Sequence, residues 1–156
     1  MKPTAGYQNK RYFKKWGFAH YGTDCVSVGG NRALYGLGDG VVSAAGLDGL
    51  NGKTTGTGSG CGYCLIVIYK DCYNWLFDKS YDVTVTYMHM EAMPKVKKGD
   101  KVTADTLLGY YGNTGANTTG PIFIFNLTRT QNIRFTAAGF QRRGIICSKR
   151  AQLTAL

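Results

Sequence analysis

A chain of 156 residues suits one domain with a real core and is too short for two ordinary ones. Twenty-two glycines and eleven tyrosines beside three prolines, with short Val/Ile/Tyr-rich runs between glycine clusters, favour an all-β protein over a helical one, because glycine weakens helices. The formal charge of +10 promotes encounter with anionic polymers, while basic and aromatic residues do not alternate as a nucleic-acid stacking platform requires.

The opening "MKPTAGYQNKRYFKKWGF" is basic but has no apolar h-region, so it does not read as a signal peptide. No run in the chain reaches membrane-spanning length. In "HYGTD", His20 and Asp24 stand four residues apart, an imidazole and a carboxylate able to reach one borderline-soft cation such as zinc. Alone that spacing is weak, since a His and an Asp so placed are usually satisfied polar groups.

"ALYGLGDGVVSAAG", from Ala33 to Gly46, reads as a strand, a turn at Gly38-Asp39-Gly40 and a second strand from Val41 to Ala45. A glycine-rich loop comes next, then "YCLIVIY", a continuous apolar strand expected to be covered on both faces. "YDVTVTYMHM" alternates Val83, Val85, Tyr87 and His89 with Thr84, Thr86 and Met88, so His89 is expected to end a strand on its apolar face. A turn at Lys98-Gly99-Asp100 leads into a short strand to Leu108 and a glycine-bounded loop, where Asn113 and Asn117 read as loop-shaping residues. Tyr87 and Tyr111 read as packing residues, and "PIFIFNL" as one more strand.

Beyond Leu127 the periodicity is lost. Residues 1–105 carry thirteen basic groups against all nine acids, whereas the last fifty-one hold six basic groups and no acid. The five cysteines, Cys25, Cys61, Cys64, Cys72 and Cys147, are an odd number and exclude a fully paired framework within one chain. Cys61 and Cys64 form a CxxC without the second pair of a structural zinc site, so they read as loop and strand cysteines.

The ordered blocks "HYGTD", "DGVVSAAG", "YMHM", "VKKGDKV" and "LLGYYGNTGANTTGP" resemble the lysostaphin-like zinc endopeptidases, which cut peptide bonds in bacterial peptidoglycan; the resemblance covers about residues 16 to 121. It implies a compact all-β domain of antiparallel sheets with a substrate groove. It also implies zinc held by His20 and Asp24, with His89 beside the metal assisting the reaction. The third ligand and a further catalytic imidazole belong to an HxH motif after "TGP", and a strand's period of two would aim both at one groove. This chain has Ile122 and Ile124 there instead. An isoleucine offers a metal no lone pair, so zinc is expected to bind weakly or not at all. Without it the Lewis acid and activated water of the reaction are missing.

Two readings explain the isoleucines. In one, the groove survives as a non-catalytic module that binds wall peptides or a protein partner. In the other, the reading frame shifts: Pro-Ile-Phe-Ile-Phe-Asn encoded as CCC ATC TTC ATC TTC AAC gives His-Leu-His-Leu-Gln from the third base onward. Codons permitted by the next residues, "LTRTQNIRFT", then spell Pro-Asp-Thr-His-Pro-Glu-His-Pro-Leu-Tyr, which resembles the stretch downstream of HxH in family members. This second reading also accounts for the change of charge and pattern. The expected organisation is a metallo-endopeptidase-like β domain over residues 1–127 and an irregular basic segment over 128–156. The resemblance implies peptidoglycan peptides as partners, with anionic wall polymers as further candidates, and an extracellular, cell-wall or phage-particle setting.

Overall fold

The computed structural model describes residues 2–48, 60–115 and 118, and the backbone of 123–129. The expected basic segment beyond Arg129, Cys147, Asn117 and Ile122 lie outside the described residues. β1 (Lys2–Ala5) is followed by the single described helix, α1 (Lys10–Trp16), and then β2 (Thr23–Val26), β3 (Ala33–Tyr35), β4 (Gly40–Leu47) and β5 (Tyr63–Asn74). β6 (Lys79–Met90), β7 (Lys101–Val102), β8 (Leu107–Tyr110) and β9 (Phe123–Arg129) complete the order.

Seven strands form one sheet in the order β1-β2-β9-β6-β5-β4-β7, and β3 and β8 form a second, two-stranded sheet. Every pairing is antiparallel. The all-β expectation therefore holds, with α1 as its exception. That helix is locally specified: the Asn9 side chain accepts from the Tyr12 N–H, and Gly17, at φ +77°, ends it in the left-handed conformation that glycine tolerates.

The core lies where the small sheet meets the large one. Leu34 of β3 and Leu108 of β8 join Val42 and Ala45 of β4, Leu65, Val67 and Tyr69 of β5, and Val85, Tyr87 and Met90 of β6. β-branched and aromatic residues suit this setting because their branched or flat side chains pack well on a pleated surface. Tyr87 and Tyr111 both belong to the core, as expected of packing residues.

One local reading is refined and another is corrected. Strands β3 and β4 flank the Gly38-Asp39-Gly40 turn but do not pair with each other: β3 pairs with β8, and β4 lies between β5 and β7. Likewise the stretch expected to be one strand ending at Leu108 is two, β7 and β8, in different sheets.

Candidate functional site

β2 alternates sides as an antiparallel strand must. Cys25 packs against the core, which leaves Asp24 on the other face of the sheet. The register continues this row: Asp24 pairs with Ile124 of β9, and Ile124 pairs with Met88 of β6. Residues directly opposite in adjacent strands share a face, with Cβ atoms roughly 5 Å apart. Position 124 is thus the immediate cross-strand neighbour of Asp24.

His20 precedes β2 and is brought onto Asp24. Its Nε2 lies 2.7 Å from Asp24 Oδ1, and both residues are buried, at 4 % and 5 % exposure. The distance is that of a hydrogen bond, yet neither atom has a directed hydrogen-bond partner. The tautomer explains the arrangement. His20 Nδ1 lies 3.0 Å from the Gly6 carbonyl, which can only accept, so Nδ1 carries the proton and Nε2 presents its lone pair to the carboxylate. Two buried lone-pair atoms this close require a cation between them, either a proton or a metal ion. Burial works against the charged imidazole, but Asp24 and the Gly6 carbonyl outweigh it and raise the His20 pKa above its ordinary value.

The chain before His20 holds it in place. Gln8 N–H donates to the His20 carbonyl at 2.7 Å, and the Tyr12 ring of α1 stacks on the imidazole at a centroid distance of 4.2 Å. Burial, and then the charge of Asp24, push the Tyr12 phenol up from its usual pKa. Periodicity does not announce Tyr12 as part of this site. The available signal was the pair of helix stops, Asn9 and Gly17, around a basic-aromatic run.

His89 departs from the strand alternation expected of it. Its φ is +55°, and the β5–β6 register slips between Leu65–Tyr87 and Tyr63–Met90, where two residues of β5 span three of β6. This is a β-bulge, a device that re-aims side chains. The core stripe runs Val83, Val85, Tyr87 and then Met90, so His89 leaves the apolar face and joins the face of Thr84, Thr86 and Met88. That is the face of Asp24 and position 124. His89 is 4 % exposed, and its Nδ1 lies 2.7 Å from the Thr114 carbonyl, which fixes a proton there as the Gly6 carbonyl does on His20.

The loop after β8 supplies this support by lying close to its neighbours. Gly112 N–H donates to the His89 carbonyl at 2.9 Å, and a Cβ at Gly112 would stand 2.5 Å from Glu91 Cα, so no side chain fits. Thr114 Oγ1 donates to the Met90 carbonyl and accepts from Tyr63 N–H, pinning the loop to the ends of both long strands. His89 N–H donates to the Cys61 carbonyl at 2.8 Å, which puts the CxxC turn beside the bulge. Cys61 and Cys64 are not joined in a disulfide; a hydrogen bond with Cys64 lowers the Cys61 pKa against the opposing effects of burial and Asp48.

Among the described residues no group of three or more His, Cys, Asp or Glu is arranged to hold a metal. His20 and Asp24 fit two positions of a zinc site: both are buried, share one approach and have the required tautomer. The row's next member is an isoleucine, so the residues present do not complete the set of about three protein ligands that a catalytic zinc takes.

A model of Peptidase family M23 matches residues 18–135. No curated protein matches the chain. Among solved structures, a zinc containing peptidase from Vibrio cholerae is 24% identical with a TM-score of 0.56, over 81% of this chain and 32% of that one. The chain thus spans about a third of that peptidase. LytU is 20% identical, with a TM-score of 0.54 over 81% of this chain and 72% of its own. The catalytic domain of a mutant of the prophage-encoded M23 protein EnpA from Enterococcus faecalis is 21% identical, with a TM-score of 0.54 over 83% of this chain and 81% of that one. At these identities the structural likeness speaks for the fold.

Proposed function

The chain belongs to peptidase family M23, and from that membership we propose that it is an endopeptidase domain for peptide bonds of bacterial peptidoglycan, inactive as encoded. The observation that carries this reading is the row Asp24–Ile124. The position facing the His20–Asp24 pair across the strand is filled by a residue without a lone pair. In the ancestral site His20, Asp24 and a residue at position 124 would hold zinc, which supplies a Lewis acid and an activated water. His89, brought by its bulge to the same face with Nδ1 held by the Thr114 carbonyl, would stabilise developing negative charge when Nε2 carries a proton as well. Wall peptides are the expected partners, outside the cell or on a phage particle.

Metal content tests this directly. The purified chain should hold well under one zinc per molecule and release no peptides from purified walls. Replacing Ile122→His and Ile124→His together should raise zinc affinity by at least ~100-fold, beyond the effect of a typical supporting residue. One tightly held zinc in the unaltered chain, together with wall lysis, would refute the proposal.

We further infer that the isoleucines arise from a shifted reading frame. Supporting this, a neighbouring frame of permitted codons yields His-Leu-His at that place, and all nine acids lie at or before Asp105. Sequencing the coding DNA from the codon for Asn117 to the stop decides it. A neighbouring frame that continues with HxH and the family's downstream residues bears the inference out. If no such frame exists, the isoleucines are encoded as such, and a metal-free groove that binds wall peptides without cutting them becomes the reading to pursue.

A further inference from the structure

The β5–β6 hairpin ends in an apolar tip that the proposed activity does not use. Tyr73, Trp75, Leu76 and Phe77 are 65%, 75%, 46% and 51% exposed, four large apolar side chains within five residues. Apolar clusters of this kind on a soluble surface mark interaction sites. This one is built rather than loose. Asn74 Oδ1 accepts the Leu76 N–H at 3.0 Å, the Asn74 carbonyl accepts the Phe77 N–H at 3.2 Å, and the Tyr73 hydroxyl donates to Asp78 Oδ1 at 2.7 Å.

Those same bonds indicate the kind of partner. They pair the Leu76 and Phe77 N–H groups and the Tyr73 hydroxyl internally, which lowers the cost of taking them out of water. A hairpin end is also convex, shaped to insert rather than to enclose. Trp, Tyr, Phe and Leu are the residues that settle at the headgroup boundary of a bilayer. The chain's +10 charge draws it toward an anionic surface. Around the tip itself Lys70 and Lys79 stand with Asp71, Asp78 and Asp82, and Lys70 is paired with Asp82, so local insertion rests on apolar contact.

Position within the fold points the same way. β6 runs twelve residues from Lys79 at the tip to Met90 beside His89. At about 3.3 Å per residue the tip lies on the order of 35 Å from the candidate site. A tip seated in a bilayer would leave that site well clear of the headgroups. No helix among the described residues is long and apolar enough to cross a membrane.

We propose that residues Tyr73 to Phe77 form an interfacial wedge that docks the domain on an anionic lipid bilayer, with Trp75, Leu76 and Phe77 entering the headgroup–acyl boundary. The proposal is independent of whether the zinc site works. Its test uses the full chain carrying Trp16→Phe, which leaves Trp75 as the sole tryptophan. The probes are vesicles of phosphatidylcholine, alone or mixed with phosphatidylglycerol. The chain should co-sediment with the mixed vesicles more strongly than with phosphatidylcholine alone. Trp75 emission should shift to the blue and be quenched by lipids brominated on their acyl chains.

In the unaltered chain, Trp75→Ser with Phe77→Ser should weaken vesicle binding by at least ~10-fold, with an unchanged circular dichroism spectrum and Tm, because both side chains face solvent. Equal binding by that variant, or binding without acyl-chain quenching, would overturn the wedge. So would tip-dependent binding to purified peptidoglycan in place of vesicles, or a concentration-dependent dimer that the variant abolishes.

Discussion

Tyr69 and Tyr87 show how one pair of hydroxyls ties stability to pH. Their oxygens are 2.6 Å apart on adjacent strands, and the residues are 2 % and 1 % exposed. Burial raises both pKa values, and for Tyr87 the neighbouring Tyr69 raises it further. The sign depends on which state holds the proton. In the unfolded chain a tyrosine ionises near 10, whereas these two remain neutral in the fold, so unfolding releases protons once the pH exceeds that value. Their contribution is fully present below about pH 10 and is lost as the pH rises toward the raised folded values. Each such tyrosine adds a slope of about 1.4 kcal/mol per pH unit. Tyr87→Phe should therefore cost about 1 kcal/mol at neutral pH and flatten the alkaline loss of stability by roughly that slope. Urea unfolding between about pH 7 and 11 measures both; an unchanged slope would show that Tyr87 ionises freely in the fold.

At the scale of single elements, the sequence discloses what period two or a glycine stop encodes. β5, β6 and β9 were visible as apolar or alternating runs, and β4 followed its turn. Pairing was not visible for β3, because its partner β8 lies some seventy residues on and no local pattern names it. The crossing is tight all the same: a Cβ at Gly36 would stand 2.2 Å from the Thr103 carbonyl oxygen. α1 has no buried residue and hence no apolar stripe to read, and the sequence pattern did not disclose it.

The instructive case is the bulge in β6. Strict alternation assigns His89 to the core face beside Tyr87, and a histidine at φ +55° is something no periodicity can announce. The structure uses one extra residue to bring Met90 to the core and His89 to the opposite face. Within the candidate site, the spacing of "HYGTD" together with the family resemblance singled out His20 and Asp24, which the fold brings together, and the resemblance singled out position 124, which pairs with Asp24. Tyr12, the Gly6 carbonyl and the Thr114 carbonyl were not, because these contacts are made by backbone atoms or by a ring on a separate element.

For the whole molecule, the two sheets divide the labour by face. One face of the seven-stranded sheet meets β3 and β8 to make the core, and the other carries Asp24 and position 124. The smaller sheet contributes few residues, so each of its inward side chains closes a large share of the core. Leu108 is fully buried there, with Leu34 beside it in the same cluster. Leu108→Ala removes those contacts and leaves a cavity that the short two-stranded sheet has little backbone to collapse around. The expected loss is about 2–5 kcal/mol. In urea the midpoint should fall while the m-value stays constant, since the surface exposed on unfolding is nearly unchanged. Leu76→Ala at the exposed hairpin tip should shift the midpoint far less, although it deletes the same atoms. A loss below about 1 kcal/mol for Leu108→Ala would mean that the seven-stranded sheet is stable without its cover. A fall in the m-value would instead mean that the small sheet detaches before the large one unfolds.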